Sequence, residues 1–247
     1  MTESENQGKI REMIKEVFTD KRYMRLIVYA TIFYFSLYLT APFGLVYAKT
    51  VLDLTNTTIT LVMTIPSTVI AFLLMSSWGK ALDRYGNKPV MQISAALACI
   101  SPFFWIFTFP GSNVIVPLIF ASALGASMIA GLDLGVQNVF LAQAPDKNRS
   151  MYMAMFICVT SLFGMGFGYS FGGWLLDNVL YKIESTGLPF NRYNMLFLVS
   201  AIVRFISAFI ALPRLIQEEN TTPVGEIISS TISDNTIFRY IKNRLGK

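Results

Sequence analysis

Two charged side chains stand inside otherwise apolar stretches and are the first candidates for chemistry. Asp133 lies in SALGASMIAGLDLGVQNVFLAQ and Arg204 in NMLFLVSAIVRFISAFIALPRL. An ionised carboxylate near the centre of a lipid bilayer costs about 2.5 to 3.5 kcal/mol. If both stretches cross a membrane in the same direction, the two charges lie at similar depth and an Asp133–Arg204 ion pair would offset part of that cost. The alternative is a free, protonatable Asp133 that couples proton flow to the movement of a solute.

A polar stripe surrounds Asp133 and suggests the wall of an aqueous cavity. At helical spacing, one face carries the small or polar residues Ser122, Ala126, Ile129, Asp133 and Gln137, with Asn138 beside it. Tyr34 and Tyr38 stand four residues apart in an earlier apolar stretch, where they could present hydroxyl groups or ring faces to a polar organic ligand. Tyrosines in membrane spans also pack or anchor at interfaces, and for this pair packing is slightly favoured.

Several classes of chemistry have no residues to perform them. The sequence contains no histidine, which excludes histidine-activated nucleophiles and histidine metal ligands. Its two cysteines, Cys99 and Cys158, fall in separate apolar stretches and predict no disulfide. No phosphate-binding glycine loop, paired catalytic carboxylates or thiol-metal spacing occurs. We therefore predict that the protein is not an enzyme and has no cofactor and no bound metal.

The elements that position these residues are membrane spans. Hydrophobic residues make up 53% of the chain, charged residues 14%, and the mean hydropathy is +0.51. A span needs about 20 apolar residues, and inside lipid a continuous apolar run must be helical. The sequence therefore predicts an all-α membrane protein with six transmembrane helices, within residues 25–213. Their predicted bounds are about 25–48, 57–78, 89–109, 114–141, 151–176 and 194–213.

The flanking segments predict cytoplasmic ends. Residues 1–24 form either an amphipathic helix on the membrane surface or a linker helix. Residues 214–247 form a partly disordered tail whose basic end suits contact with anionic lipid. All lysines and arginines except Lys49, Lys182, Arg192 and Arg204 lie on the side of the two termini, so this side is expected to face the cytoplasm of a cytoplasmic (inner) membrane. This topology accounts for the net charge of +5 without nucleic acid as a partner.

The connector GKALDRYG, followed by NKP, contains the most specific motif. Gly86 predicts a turn, and Pro89 predicts the start of the next helix. The stretch resembles the signature loop of the major facilitator superfamily, with Gly79, Asp83, Arg84, Gly86 and Lys88 at matching positions. That loop joins the second and third helices of each six-helix half, and the resemblance implies that its Asp and Arg latch neighbouring helices in one conformational state.

Two further stretches resemble the same family. Pro145 and Arg149 match its loop between the fourth and fifth helices. In GMGFGYSFGGWL, glycines 164, 168 and 172 stand four apart, a spacing that lets two helix backbones approach closely. This stretch is similar to the family's Gly-Pro-x-x-Gly-Gly motif, with Tyr169 in place of the proline. General helix packing is a stronger expectation for these glycines than a gating role.

The resemblance covers residues 9–214 and implies one half of a family member, most similar to the C-terminal half. It implies that the first and fourth helices line a central cavity, which would include Tyr34, Tyr38, Asp133, Gln137 and Asn138. It also implies a secondary transporter component that moves a small solute, with a coupling proton or cation, by alternating access with a second six-helix half. That half would be another copy or a separate N-terminal half. The alternatives are a truncated or interrupted transporter product and a membrane scaffold without transport.

Overall fold

Six long helices make up the bundle. The computed structural model describes residues 3–182 and 190–216, apart from the side chains of residues 3–10 and of Leu215. Within these residues six helices are long and apolar enough to cross a membrane, and no strand is present. We refer to them as the first to sixth spans: Lys21–Thr50, Asn56–Tyr85, Asn87–Ile106, Ile115–Gln143, Asp146–Lys182 and Arg192–Arg214. The predicted all-α fold with six spans is confirmed.

Local sequence signals set several of the span ends. The Asp20 carboxylate accepts from the backbone N–H groups of Arg22 and Tyr23, at 3.0 and 3.1 Å, and so caps the first span. Gly86 alone separates the second and third spans, and its φ of 86° lies in the left-handed region that favours glycine. The third span begins at Asn87, so Pro89 falls in its first turn, where a missing N–H costs nothing.

Prolines leave backbone carbonyls that side chains then satisfy. Pro66 has no N–H to donate to the Val62 carbonyl, and the helix widens into a π-helical turn over Thr60–Thr64 just before it. The Ser122 hydroxyl of the fourth span is shared between that carbonyl, at 3.3 Å, and the Leu118 carbonyl of its own helix, at 2.8 Å. A hydroxyl of the neighbouring fourth span therefore offers a hydrogen bond to the irregular turn of the second span.

The fourth span is the central element of the packing. It contacts the second and third spans along much of their length, while the first span packs against the fifth and the third against the sixth. Buried apolar side chains form the largest core cluster, mostly from the first and fourth spans, with further ones from the third, fifth and sixth. Phe33, Leu132 and Tyr152 belong to it. The second span is the least buried of the six, with Phe72 77% exposed. One face of the bundle is thus left without protein contacts among the described residues.

A helix over Glu3–Thr19 precedes the first span and packs against the start of the fifth. Val17 of this helix is fully buried, and the Glu16 carboxylate accepts from the Asn148 amide at 2.8 Å. Tyr23 at the start of the first span donates to the Tyr152 carbonyl at 2.8 Å. The N-terminal helix is therefore joined to the bundle. The predicted tail lies outside the described residues from residue 217 onward.

Candidate functional site

Of the five motif residues at the junction of the second and third spans, four are helical and Gly86 is not. Helix Ile65–Tyr85 includes Gly79, Asp83 and Arg84, so it runs beyond the predicted end near residue 78. Long charged side chains allow this, because they can reach the membrane surface from the last turns of a helix. Asp83 and Arg84 are exposed at the end of the bundle that also carries Pro213 and the Glu3–Thr19 helix, which we call the basic end. Their predicted role as a latch between neighbouring helices stays a prediction.

Lys88 has a contact that the sequence did not predict. Its ammonium Nζ donates to the Pro213 carbonyl at 3.3 Å and so joins the start of the third span to the last turn of the sixth. Carbonyls in the last turn of a helix have no partner within the helix, and a lysine near them also interacts favourably with the helix dipole.

The Lys88→Met variant should therefore loosen the end of the sixth span. We expect a loss of about 1 to 2 kcal/mol in stability, because the stem is kept and a charge-assisted hydrogen bond is removed. Thermal unfolding in detergent, with amide hydrogen exchange over residues 207–215, measures this. Lys80→Met is the matched control, since Lys80 is exposed on the same connector. Equal exchange in both variants would contradict the role of the Lys88 contact.

The three glycines of the fifth span lie against the backbone of the first span. A Cβ added at Gly164 would stand 3.0 Å from Tyr34 Cβ, and one at Gly168 would stand 3.0 Å from the Phe35 carbonyl oxygen. At Gly172 the added atom would overlap the Leu39 carbonyl oxygen and lie 2.8 Å from the Phe43 ring. Only hydrogen fits at this position, so the two helix axes approach closely along this line.

Asp133 is held by a tyrosine hydroxyl. Tyr34 of the first span donates to Asp133 Oδ1 at 3.0 Å, and both side chains are partly buried. Asp133 lies about 15 Å from the Gln143 end of its helix, at a rise of 1.5 Å per residue. Of the described lysines and arginines, none forms a salt bridge with this carboxylate. The site can thus hold a carboxylate within the membrane with a hydroxyl as its partner.

Arg204 has different partners, which corrects the predicted Asp133–Arg204 ion pair. Its Nη1 donates to the Ala98 carbonyl at 3.2 Å, and its Nη2 donates to Thr40 Oγ1 at 3.3 Å. Pro102 stands four residues after Ala98 and has no N–H with which to bond that carbonyl, which leaves it open to Arg204. The two charges do not pair, because their side chains point in different directions. Arg204 points toward Ala98 of the third span and Thr40 of the first, whereas Asp133 points toward Tyr34. The ion pair is absent from this conformation.

Arg204 also lines a cavity of about 460 Å³ inside the bundle. The first, second, third, fourth and sixth spans all contribute to its wall. Its lining includes Tyr38, Thr40, Trp105, Ser122, Phe197 and Arg204. The rings of Trp105 and Phe197 pack with centroids 4.9 Å apart, which makes one side of the wall rigid and aromatic. The described part of its wall thus combines an apolar surface with hydroxyls and one cation.

The structure separates the predicted cavity residues into two groups. Tyr38 lines the 460 Å³ cavity and also packs edge-on against Tyr169, at 5.1 Å between centroids. Tyr34 and Asp133 bond each other outside that lining, and Gln137 and Asn138 are exposed on the fourth span. The central cavity that the resemblance implies lies between two halves, so the role of these four residues in it stays a prediction.

Sequence reasoning missed Thr40, Trp105 and Phe197 as cavity residues. The available signal was Pro102, because a proline in a membrane helix exposes a carbonyl that some donor must satisfy. No group of three or more histidine, cysteine, aspartate or glutamate side chains lies close enough to hold a metal ion in the part of the chain that the structure describes.

Comparison with known proteins identifies the family of this chain. A family model described as Major Facilitator Superfamily matches residues 26–243, which is most of the chain. The searches of curated proteins and of solved structures gave no match. The match begins within the first span and includes the other five spans, the connector with Gly86 and both intramembrane charges. The chain therefore belongs to the major facilitator superfamily of membrane transporters.

Proposed function

We propose that this protein is a half-size secondary transporter, which moves a small solute by alternating access together with a second six-helix half. The single observation that carries the proposal beyond family membership is the Asp133 carboxylate in the membrane interior, held by the Tyr34 hydroxyl at 3.0 Å. An ionisable residue within a membrane span marks a substrate, ion or proton pathway in most membrane proteins. Asp133 is the group that would carry a coupling proton.

The need for a second half is supported by the surface of the bundle. Gln137 and Asn138 are exposed on the fourth span, and neither amide forms a hydrogen bond within the described residues. Unsatisfied amides in contact with lipid are unfavourable. A second six-helix half, or a water-filled space beside it, would give them partners. This second half would be another copy of this chain in the same orientation, or a separate N-terminal half.

The orientation and the membrane belong to the same proposal. The basic end would face the cytoplasm of an inner membrane, because lysine and arginine are retained on that side. Both termini would then be cytoplasmic. Alternating access would open the space beside Asp133 and the exposed amides first to one side of the membrane and then to the other.

Native mass measurement and vesicle transport test this function together. We expect the purified particle to contain two six-helix halves, either two copies or one copy with a partner. Proteoliposomes loaded with a pH-sensitive dye should show proton movement when a transported solute from a panel of small organic acids, amines, sugars and amino acids is added. A strictly monomeric particle that is inert to the whole panel would overturn the proposal.

A further inference from the structure

The cavity inside the bundle carries a positive charge without a carboxylate to balance it. Arg204 is 7% exposed, and it is the only charged side chain among the described residues that line the 460 Å³ cavity. No aspartate or glutamate forms a salt bridge with it in the described part of the chain. A buried cation without a counter-charge is costly, and proteins usually supply an anion to such a group.

The hydrogen bonds of Arg204 leave part of its donor capacity unused. A guanidinium has five N–H donors, and Arg204 uses one for the Ala98 carbonyl and one for the Thr40 hydroxyl. Its Nε–H has no partner among the described residues. The two bonds that are formed go to neutral oxygens, so they hold the side chain in place without cancelling its charge.

Cations are disfavoured in this cavity and anions are favoured. The hydroxyls of Thr40, Ser101 and Ser122 donate to helix carbonyls, and the guanidinium is the one charged donor among the described residues of the wall. Trp105 and Phe197 offer an apolar surface against which the body of an organic molecule can pack. An organic anion satisfies both parts of the wall, since its charged end reaches Arg204 and its body covers the rings.

We propose that this cavity is a binding site for a small organic carboxylate, with Arg204 as the residue that binds its charged end. Five spans of one six-helix half line the site. The inference deepens the proposed function, and it rests on that function only for the claim that the bound anion is the transported solute. Binding itself requires neither transport nor a second half.

Benzoate and benzamide are suitable probes, because they have nearly the same shape and differ in charge. Calorimetric titration of the purified chain in a neutral detergent should give binding of benzoate at least about tenfold tighter than that of benzamide, as expected for a charge-assisted hydrogen bond. Arg204→Gln should remove this preference. Arg149→Gln is the matched control, since Arg149 is exposed, pairs with Asp146 and lies outside the cavity.

Three outcomes would overturn the inference. The first is equal affinity of the wild-type protein for the two probes. The second is unchanged benzoate binding in Arg204→Gln. The third covers the case in which that variant does not fold: Ala126→Leu keeps Arg204 but fills the cavity from the fourth span, so benzoate binding that persists in Ala126→Leu would place the anion elsewhere.

These experiments distinguish a failure of the anion site from a failure of the proposed transport function. Selective benzoate binding with no transport in vesicles would support the anion site and count against the proposed transport function. Transport of neutral or cationic solutes by a protein that binds benzoate no better than benzamide would support transport and overturn the anion site.

Discussion

Gly172→Ala should destabilise the protein by about 2 kcal/mol or more, because overpacking a closely packed contact costs about 1 to 3 kcal/mol. A Cβ at this position would overlap the Leu39 carbonyl oxygen and press on the Phe43 ring, at 2.8 Å. A flexible side chain could move away, but the carbonyl belongs to the backbone of the first span. The helices would have to separate. Thermal or denaturant unfolding in detergent measures the loss.

The adjacent residue provides the matched control for this prediction. An added Cβ at Gly173 would lie 3.6 Å from the Phe43 ring, an ordinary van der Waals contact. Gly173→Ala should therefore be neutral, or stabilising by up to about 1 kcal/mol through the higher helix propensity of alanine. Gly168→Ala should fall between the two, since its nearest backbone atom is 3.0 Å away. If Gly172→Ala and Gly173→Ala proved equally stable, the close approach of the first and fifth spans would be wrong.

Asp133→Asn should abolish solute accumulation driven by a pH gradient and reduce it to the level of vesicles without protein. Asparagine has nearly the same shape and can still accept the Tyr34 hydrogen bond, but it cannot take up and release a proton. Folding should therefore survive while proton coupling is lost. The measurement is uptake in proteoliposomes of a solute that wild-type protein accumulates, with unfolding temperature as a check on the fold.

Two further variants define what the Asp133 result means. Tyr34→Phe keeps the carboxylate and removes its hydroxyl partner, so we expect accumulation to persist at a rate reduced by about tenfold. Asp146→Asn removes an exposed carboxylate that pairs with Arg149 and should leave uptake unchanged. Full accumulation by Asp133→Asn would show that this carboxylate does not carry the coupling proton.

The presence of six spans could be predicted from the sequence, because the signal is local. Each apolar run is long enough to cross lipid, and each end is marked by charge, proline or glycine within a few residues. A turn at Gly86 followed from the same kind of signal, and its φ of 86° agrees, although the helices on either side run up to Tyr85 and from Asn87, closer to Gly86 than predicted. The spacing of glycines 164, 168 and 172 likewise indicated a helix-packing face. It did not predict that the first span packs there.

The partners of the intramembrane charges could not be predicted in this way. Depth along a helix follows from residue number, but the direction in which a side chain points around the bundle depends on how all six spans pack. Asp133 and Arg204 therefore looked like a pair in the sequence, whereas the structure gives one the Tyr34 hydroxyl and the other the Ala98 carbonyl. The proline that frees this carbonyl is visible in the sequence, but its donor comes from another span.

The sequence by itself determined that the chain crosses the membrane six times and where its charges lie in depth, because hydrophobicity and helical rise act along the chain. Only the tertiary structure decided that Arg204 lines a cavity of about 460 Å³ and that Asp133 lies outside its lining. The physical reason is that a cavity is a gap in the packing of several helices. Its wall is assembled from residues that are far apart in the chain and share no local pattern.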